Sequence, residues 1–298
     1  MPKSAKRQNR RRPRLRRAAG RAAGRLWLGW DPYLLLGCYA LVFGLLGAAH
    51  ILLPSAKAAA DGARAWLAPN VSHWFGLDAA GNDLLMRSLR AGAVSLWMAL
   101  LATLAGGAAG LAAAAAVALG GRDRGYRLLA KLCDLPALAP GLILLFILSA
   151  GAGQGFWISV ALLAPFVAVF AAGRAAAWFF DWEIAGDVLA ARTLGYSRAR
   201  LVWEHYVPRL WPRVTALAAG ILPAVLLAQA GLSFSGFGAG AEAPDLGRVV
   251  AEGRAHLFEA PWVAFCPGLM LWTFTLMLAM LGWAVRRTAG EPVVERVF

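Results

Sequence analysis

Acidic residues are scarce in this chain, and its first twenty-five positions contain none. Asp and Glu total 16 against 30 Lys and Arg, and charged residues make up only 15% of the 298 positions. A soluble domain carries roughly 25%, so an ordinary soluble enzyme is disfavoured, while 60% hydrophobic residues exclude a disordered chain. Cysteine is nearly absent. Cys38, Cys133 and Cys266 lie apart, in or beside apolar runs, an odd set that implies neither a disulfide framework nor a zinc site. The four histidines, His50, His73, His205 and His256, have no metal-ligand spacing. No G-x-x-x-x-G-K-[ST] loop is present to cradle a nucleotide, and no Ser/His/Asp or Cys/His arrangement suggests nucleophilic catalysis. The apolar runs also lack carboxylates, with Asp31, Asp134 and Glu259 only at their edges. Ion-coupled carriers use buried carboxylates as relays, so a self-powered carrier is disfavoured and the energy for any transport comes from elsewhere.

What is present is a membrane pattern. About twenty apolar residues in a helix cross the roughly 30 Å of bilayer hydrocarbon, and every backbone amide must be satisfied within the span. Uncharged runs place spans at Pro32–Lys57, Ala91–Gly121, Val214–Ala241 and Ala260–Val285. Leu135–Gly173 is long enough for two more, divided at the glycine cluster Gly151–Gly155. The expectation is an all-α integral membrane protein of six transmembrane helices. Eleven of the basic residues fall in positions 1–25. With both termini cytoplasmic, inside segments hold 24 Lys and Arg and outside segments 6, the asymmetry that orients membrane proteins. The layout is therefore a basic cytoplasmic tail at 1–30, a first span at 31–54 and an extracytoplasmic loop at 55–90. A five-helix core follows at 91–287, and a cytoplasmic tail at 288–298. The basic tail reads as a topology signal with attraction to anionic lipid rather than as a nucleic-acid site.

Within the core, the inside connection 181–213 reads as structured. Ile184–Thr193 reads as a short helix whose apolar side is Ile184, Val188, Leu189 and Ala191; Gly195 breaks it, and Ser197 is placed to cap a second helix, Arg198–Tyr206, stopped by Pro208. Such a hairpin suits either a knob seated in a partner's groove or an amphipathic element lying on lipid headgroups. Gly106 and Gly110 form a small-xxx-small face for close helix packing. Phe234–Gly240 reads as a turn rather than a phosphate cradle. In the outside connection 237–262, Glu242, Asp245, Glu252 and Glu259 stand against Arg248 and Arg254, with Trp74 and Trp262 expected at the lipid interface. Gln154, Gln229, Ser149, Ser159 and Thr215 are the scarce polar residues in or near spans.

Several of these segments resemble one family. Leu189–Pro208 (LAARTLGYSRARLVWEHYVP) resembles the EAA loop of ABC-transporter permeases, with Ala190, Ala191, Gly195 and Pro208 at matching positions and Tyr206 and Val207 as apolar substitutes. His73–Leu96 is similar to the segment before the second span of dipeptide and oligopeptide permeases, matching at His73, Gly76, Asp78, Gly81, Asp83, Arg87, Gly92, Ser95 and Leu96. Leu232–Gly238 (LSFSGFG) resembles that family's LSFLGLG through Leu232, Ser233, Phe234, Gly236 and Gly238. The runs Pro244–Gly247, Ala251–Arg254, Ala260–Trp262 and Pro267–Leu269 follow in the family's order.

The resemblance implies the type I ABC importer permease fold and a non-catalytic subunit in the inner membrane, importing peptides or related peptide-like or metal-chelate solutes. It implies a second permease subunit, two cytoplasmic ATPase subunits that use ATP and Mg, and an extracytoplasmic solute-binding protein. No cofactor, metal or nucleic acid is expected on the chain itself. It further implies that Leu189, Ala190, Ala191, Gly195, Tyr206 and Pro208 contact the ATPase, and that His73, Gly76, Asp78, Gly81, Asp83 and Arg87 shape the outer mouth. Two departures stand out. The family's Glu falls at Leu189, and Asp187, about 200° around a helix from it, cannot replace it on one face. Leu77 and Asn82 stand where the family has Thr and Arg. A stand-alone secondary carrier and a non-transporting scaffold binding an acidic partner through the basic tail are the alternatives.

Overall fold

The computed structural model describes residues 65–120, 125, 141–183, 185–240 and 243–288, all within a unit spanning 41–298. The basic tail, the first expected span and the C-terminal tail lie outside the described residues. Those described are helical apart from turns and one isolated bridge, Leu77 with Asp83. The helices are α1 (Leu84–Gly120), α2 (Gly141–Ala152), α3 (Phe156–Glu183), α4 (Gly186–Thr193), α5 (Arg198–Leu201), α6 (Val207–Phe234), α7 (Leu246–Gly253) and α8 (Trp262–Thr288).

Among the described residues four stretches are long and apolar enough to cross a membrane: Leu84–Val117, Phe156–Trp182, Val202–Phe234 and Trp262–Arg286. They correspond to the second, fourth, fifth and sixth expected spans. The third is represented by α2, whose twelve residues rise only about 18 Å; the residues leading into it, 126–140, lie outside the description. The break expected at Gly151–Gly155 is there, with Gly153 at φ +84° between α2 and α3.

Small residues set the central packing. A Cβ on Gly106 would lie 2.3 Å from the Ala164 carbonyl oxygen, and one on Gly110 would lie 2.3 Å from that of Ala168. The expected small-residue face thus receives α3 at backbone distance, and the two helices run parallel. Across the bundle α6 packs against α8, where Gly282 meets the Ala219 carbonyl in the same manner. The short α7 lies against α1, α6 and α8 and buries Leu246, Gly247, Val249 and Gly253.

Two features differ from the sequence expectation. Helix α1 begins at Leu84 rather than near Ala91, because the Asp83 carboxylate accepts the N–H groups of Leu85 (2.9 Å) and Met86 (3.2 Å) and caps the helix there. Pro208 does not stop the helix that Ser197 starts. A π-helical turn, Val202–Tyr206, widens the coil, and Val207 N–H donates to the Val202 carbonyl. Pro208, with no N–H to give, then sits in the first turn of α6, where the missing donor is tolerated.

Candidate functional site

Two clusters of functional candidates lie at opposite ends of the bundle. At the end where α1 begins, the loop 65–83 is built around Asp78, which is only 3% exposed. One carboxylate oxygen accepts the N–H groups of Ala80 (2.9 Å) and Asn82 (2.8 Å). The other accepts from Asn82 Nδ2 (3.1 Å) and Arg87 Nη1 (3.0 Å). His73 Nδ1 lies 2.8 Å from Asp83 Oδ2, so the residue that caps α1 is also tied to the loop. Gly76 and Gly81 supply the left-handed corners at φ +77° and +75°. His73, Gly76, Asp78, Gly81, Asp83 and Arg87 are therefore brought together. Trp262 packs half-buried with Trp66 and Phe75 on a core of Leu84, Leu246 and Val263, while Trp74 is exposed.

The Leu232–Gly238 motif ends α6 beside this loop. Gly236 at φ +97° lets Phe237 N–H reach back to the Leu232 carbonyl (3.0 Å) and Gly236 N–H to that of Ser233 (3.0 Å), the left-handed closure that helix C-termini favour. Ser233 Oγ donates to Asp245 Oδ2 (2.7 Å), Ala239 N–H to the same oxygen (3.2 Å), and Arg248 N–H to Oδ1 (3.2 Å). Asp245, fully buried, caps α7. Nothing in the composition of 237–262 separates Asp245 from Glu242, Glu252 and Glu259; the signal that does is its place directly before the apolar turn Leu246–Val249. Asp245→Asn is expected to destabilise the detergent-solubilised chain by about 1–2 kcal/mol, because the amide turns a donor toward at least one of the three donors now satisfied. Thermal unfolding followed by tryptophan fluorescence checks it.

At the opposite end, α4 and α5 form the expected hairpin. Its base is an aromatic cluster in which Val188 and Ala191 of α4 and Leu201 pack with Trp178, Phe179, Trp182 and Tyr206. The Arg213 guanidinium lies 5.0 Å from the centre of the Trp182 ring. Gly195 turns the chain at φ +82°, with its N–H on the Arg192 carbonyl and that of Tyr196 on the Ala191 carbonyl. Ser197 Oγ accepts the Arg200 N–H (3.3 Å), the expected cap. Asp187 is committed to this framework: Arg209 donates to its carboxylate and His205 Nδ1 lies 3.5 Å away. Partial loss of water works against ionisation of Asp187, but the hydrogen bond and charge of Arg209 outweigh it and hold the carboxyl below its ordinary value. The tie to Arg209 is therefore present at neutral pH and is lost as acid protonates the group.

The expected ATPase-contact residues divide accordingly. Ala191 and Tyr206 face inward, at 5% exposed each. Leu189, Ala190, Gly195 and Pro208 face outward, and with them Leu194, at 76% exposed. Leu194 did not figure among the sequence candidates. The hairpin thus presents an exposed apolar tip on a buried aromatic base, and no His, Cys, Asp or Glu cluster able to hold a metal occurs among the described residues.

The four long apolar helices among the described residues define a multi-pass helical membrane protein. No protein-family model matches the chain. It is 31% identical over 228 residues to the oligopeptide transport system permease protein OppC of Mycobacterium bovis, covering 75% of this chain and 77% of that one. It is 28% identical over 238 residues to the glutathione transport system permease protein GsiD of Escherichia coli, covering 76% and 74%. The chain belongs to the dipeptide and oligopeptide permease family of ABC transporters, as a non-catalytic permease subunit of an importer.

Proposed function

We propose that this permease forms half of the translocation pathway of an ATP-driven importer for peptides or related small solutes, and that it couples to a cytoplasmic ATPase through the loop 184–208. In this reading the chain has six spans in the inner membrane with both termini cytoplasmic, as its basic residues favour. It pairs with a second permease subunit, two ATPase subunits that use ATP and Mg, and an extracytoplasmic solute-binding protein. The α4–α5 hairpin is then cytoplasmic and the loops around Asp78 and Asp245 lie outside.

The observation that carries the proposal is the division of the hairpin. One face is locked into the aromatic cluster, and the other presents Leu189, Ala190 and Leu194. A push on that tip is transmitted to α3 and α6, because Trp182 and Tyr206 sit in the same cluster as Val188 and Ala191. Leu189 and Leu194 supply apolar contact where the family pattern has a carboxylate. The class of solute rests on the names of the relatives, peptide and glutathione systems.

The test is uptake of a short labelled peptide into liposomes. Transport is expected only when the chain is reconstituted with the second permease, the ATPase subunits and the binding protein, and only with Mg and ATP. Uptake by the purified chain alone, driven by an ion gradient, would overturn the proposal.

A further inference from the structure

Helix α2 stands apart from the rest of the bundle in how it is held. Its side chains Ile143, Leu144, Ile147 and Leu148 are about half exposed or more, the face a membrane span turns to lipid or a partner, while Leu145 and Ser149 are buried. Helix α3, by contrast, is anchored to α1 at backbone distance through Gly106 and Gly110. The turn between α2 and α3 is instead held by polar contacts. Gln154 Nε2 donates to the Gly236 carbonyl (2.6 Å), and Gly155 N–H donates to the Gly238 carbonyl (3.0 Å). The side-chain oxygen of Gln154 accepts from Arg248 Nη1 (3.4 Å).

Arg248 does not act alone. Its Nε lies 3.3 Å from Glu252 Oε1, the other oxygen of Glu252 accepts from Arg87, and Arg87 reaches the buried Asp78. A continuous polar chain thus runs from the loop before α1, across α7, to the tip of the α2–α3 turn and on to the end of α6. Its far end is anchored on Asp78, and its near end is the exposed Gln154.

We propose that Gln154 and Arg248 are positioning residues forming a catch that holds the α2–α3 turn as a closure at the end of the bundle where α1 begins. While the catch is made, the turn is fixed to α7 and the end of α6. When it is broken, the turn around Gly153, whose backbone is left-handed, leaves α7 and the end of α6 while α3 stays on α1. In the importer this places a releasable closure at the mouth opposite the α4–α5 hairpin. That role rests on the reading under Proposed function, but the existence of the catch does not.

The experiment uses the full chain in lipid nanodiscs, with Cys38, Cys133 and Cys266 replaced by serine and nitroxides attached at Ala152→Cys and Ser235→Cys. Both positions are exposed and flank the two turns. Strong dipolar broadening is expected in the parent. Gln154→Ala and Arg248→Gln should each raise the ratio of separated to close label pairs about threefold to tenfold, the range one net hydrogen bond supports. A second pair, Leu104→Cys with Phe170→Cys, reports α1 against α3 and should be unchanged. An unchanged ratio in both variants overturns the catch. So does a parallel change in the second pair, which would mean general loosening of the bundle. Should Arg248→Gln fail to fold, the exposed Gln154→Ala decides alone. Failure here leaves the transport reading standing, and ATP-independent uptake by the chain alone would overturn that reading while leaving the catch intact.

Discussion

Gly110→Leu is expected to leave almost no folded chain after detergent extraction, and Gly110→Ala to lower the thermal midpoint clearly. The reason is distance. Even a single added carbon at position 110 would lie 2.3 Å from the Ala168 carbonyl oxygen, 2.8 Å from the Ala172 nitrogen and 2.9 Å from the Ala171 Cβ. Two of those three atoms are backbone, so no rotamer change relieves the contact and α1 must move away from α3. Overpacking of this kind costs about 1–3 kcal/mol for one methyl group, and leucine adds three more carbons in the same gap. Gly106 behaves alike, with the Ala164 carbonyl at 2.3 Å and Val167 Cβ at 2.6 Å. Gly107 is the control, since nothing lies within 4 Å of its added carbon. Gly107→Ala is expected to stay within about 1 kcal/mol of the parent, on the favourable side, because alanine is the better helix former. Size-exclusion profiles after a temperature series separate the three outcomes. Equal midpoints for Gly107→Ala and Gly110→Ala would show that the α1–α3 contact is not as close as described.

The same glycines show what was legible before the fold. A span is announced by composition, so α1, α3, α6 and α8 fall where uncharged runs predict them. A small-xxx-small pair announces a close contact but not its partner, and only the fold assigns α3. Boundaries set by side-chain chemistry were harder to read. Asp83 caps α1 seven residues ahead of the last charge, Arg90, because a helix that emerges from the membrane can carry Arg87 and Arg90 in its first turns. Pro208 read as a stop, yet a π turn upstream absorbs it, a backbone adjustment that leaves no residue signature. Burial of loop charges was least legible. Asp245 and Glu252 look alike in the sequence, but one is sealed under Ser233 and the Ala239 amide while the other joins two arginines at the surface. In the hairpin, helical periodicity predicted one apolar side from Ile184, Val188, Leu189 and Ala191; Val188 and Ala191 form it, Leu189 faces outward, and Ile184 lies outside the described residues. It did not reveal Leu194, which belongs to the turn and follows no periodicity.

That division of the hairpin leads to a contrast between neighbouring positions. Ala191→Glu is expected to destabilise the chain strongly, whereas Leu194→Glu is expected to leave its stability unchanged and weaken its association with the ATPase subunit. Ala191 is packed among Val188, Trp182 and Tyr206. A carboxylate there is pressed into an apolar, aromatic site with Asp187 already engaged by Arg209, and burying an unpaired polar group costs about 2–7 kcal/mol, an unpaired charge more. The hairpin would detach from α3 and α6 before any partner was involved. Leu194 lies at the helix C-cap with three-quarters of its surface open, so a carboxylate there stays hydrated and surface substitutions of this kind fall within about 0.5 kcal/mol. Its loss is felt only where a partner covers it, as reduced co-purification of the ATPase and a lower ATP-dependent uptake at the same level of folded permease. Leu189→Glu, which restores the family's acidic residue at a half-exposed position, distinguishes the two kinds of contact. If docking at this tip is apolar, Leu189→Glu weakens association as Leu194→Glu does. If the ATPase retains a cationic site for a carboxylate, Leu189→Glu strengthens association while Leu194→Glu weakens it. Full association by Leu194→Glu would exclude the tip from the interface and shift the search to the exposed Trp203 and Trp211 on the same end of the bundle.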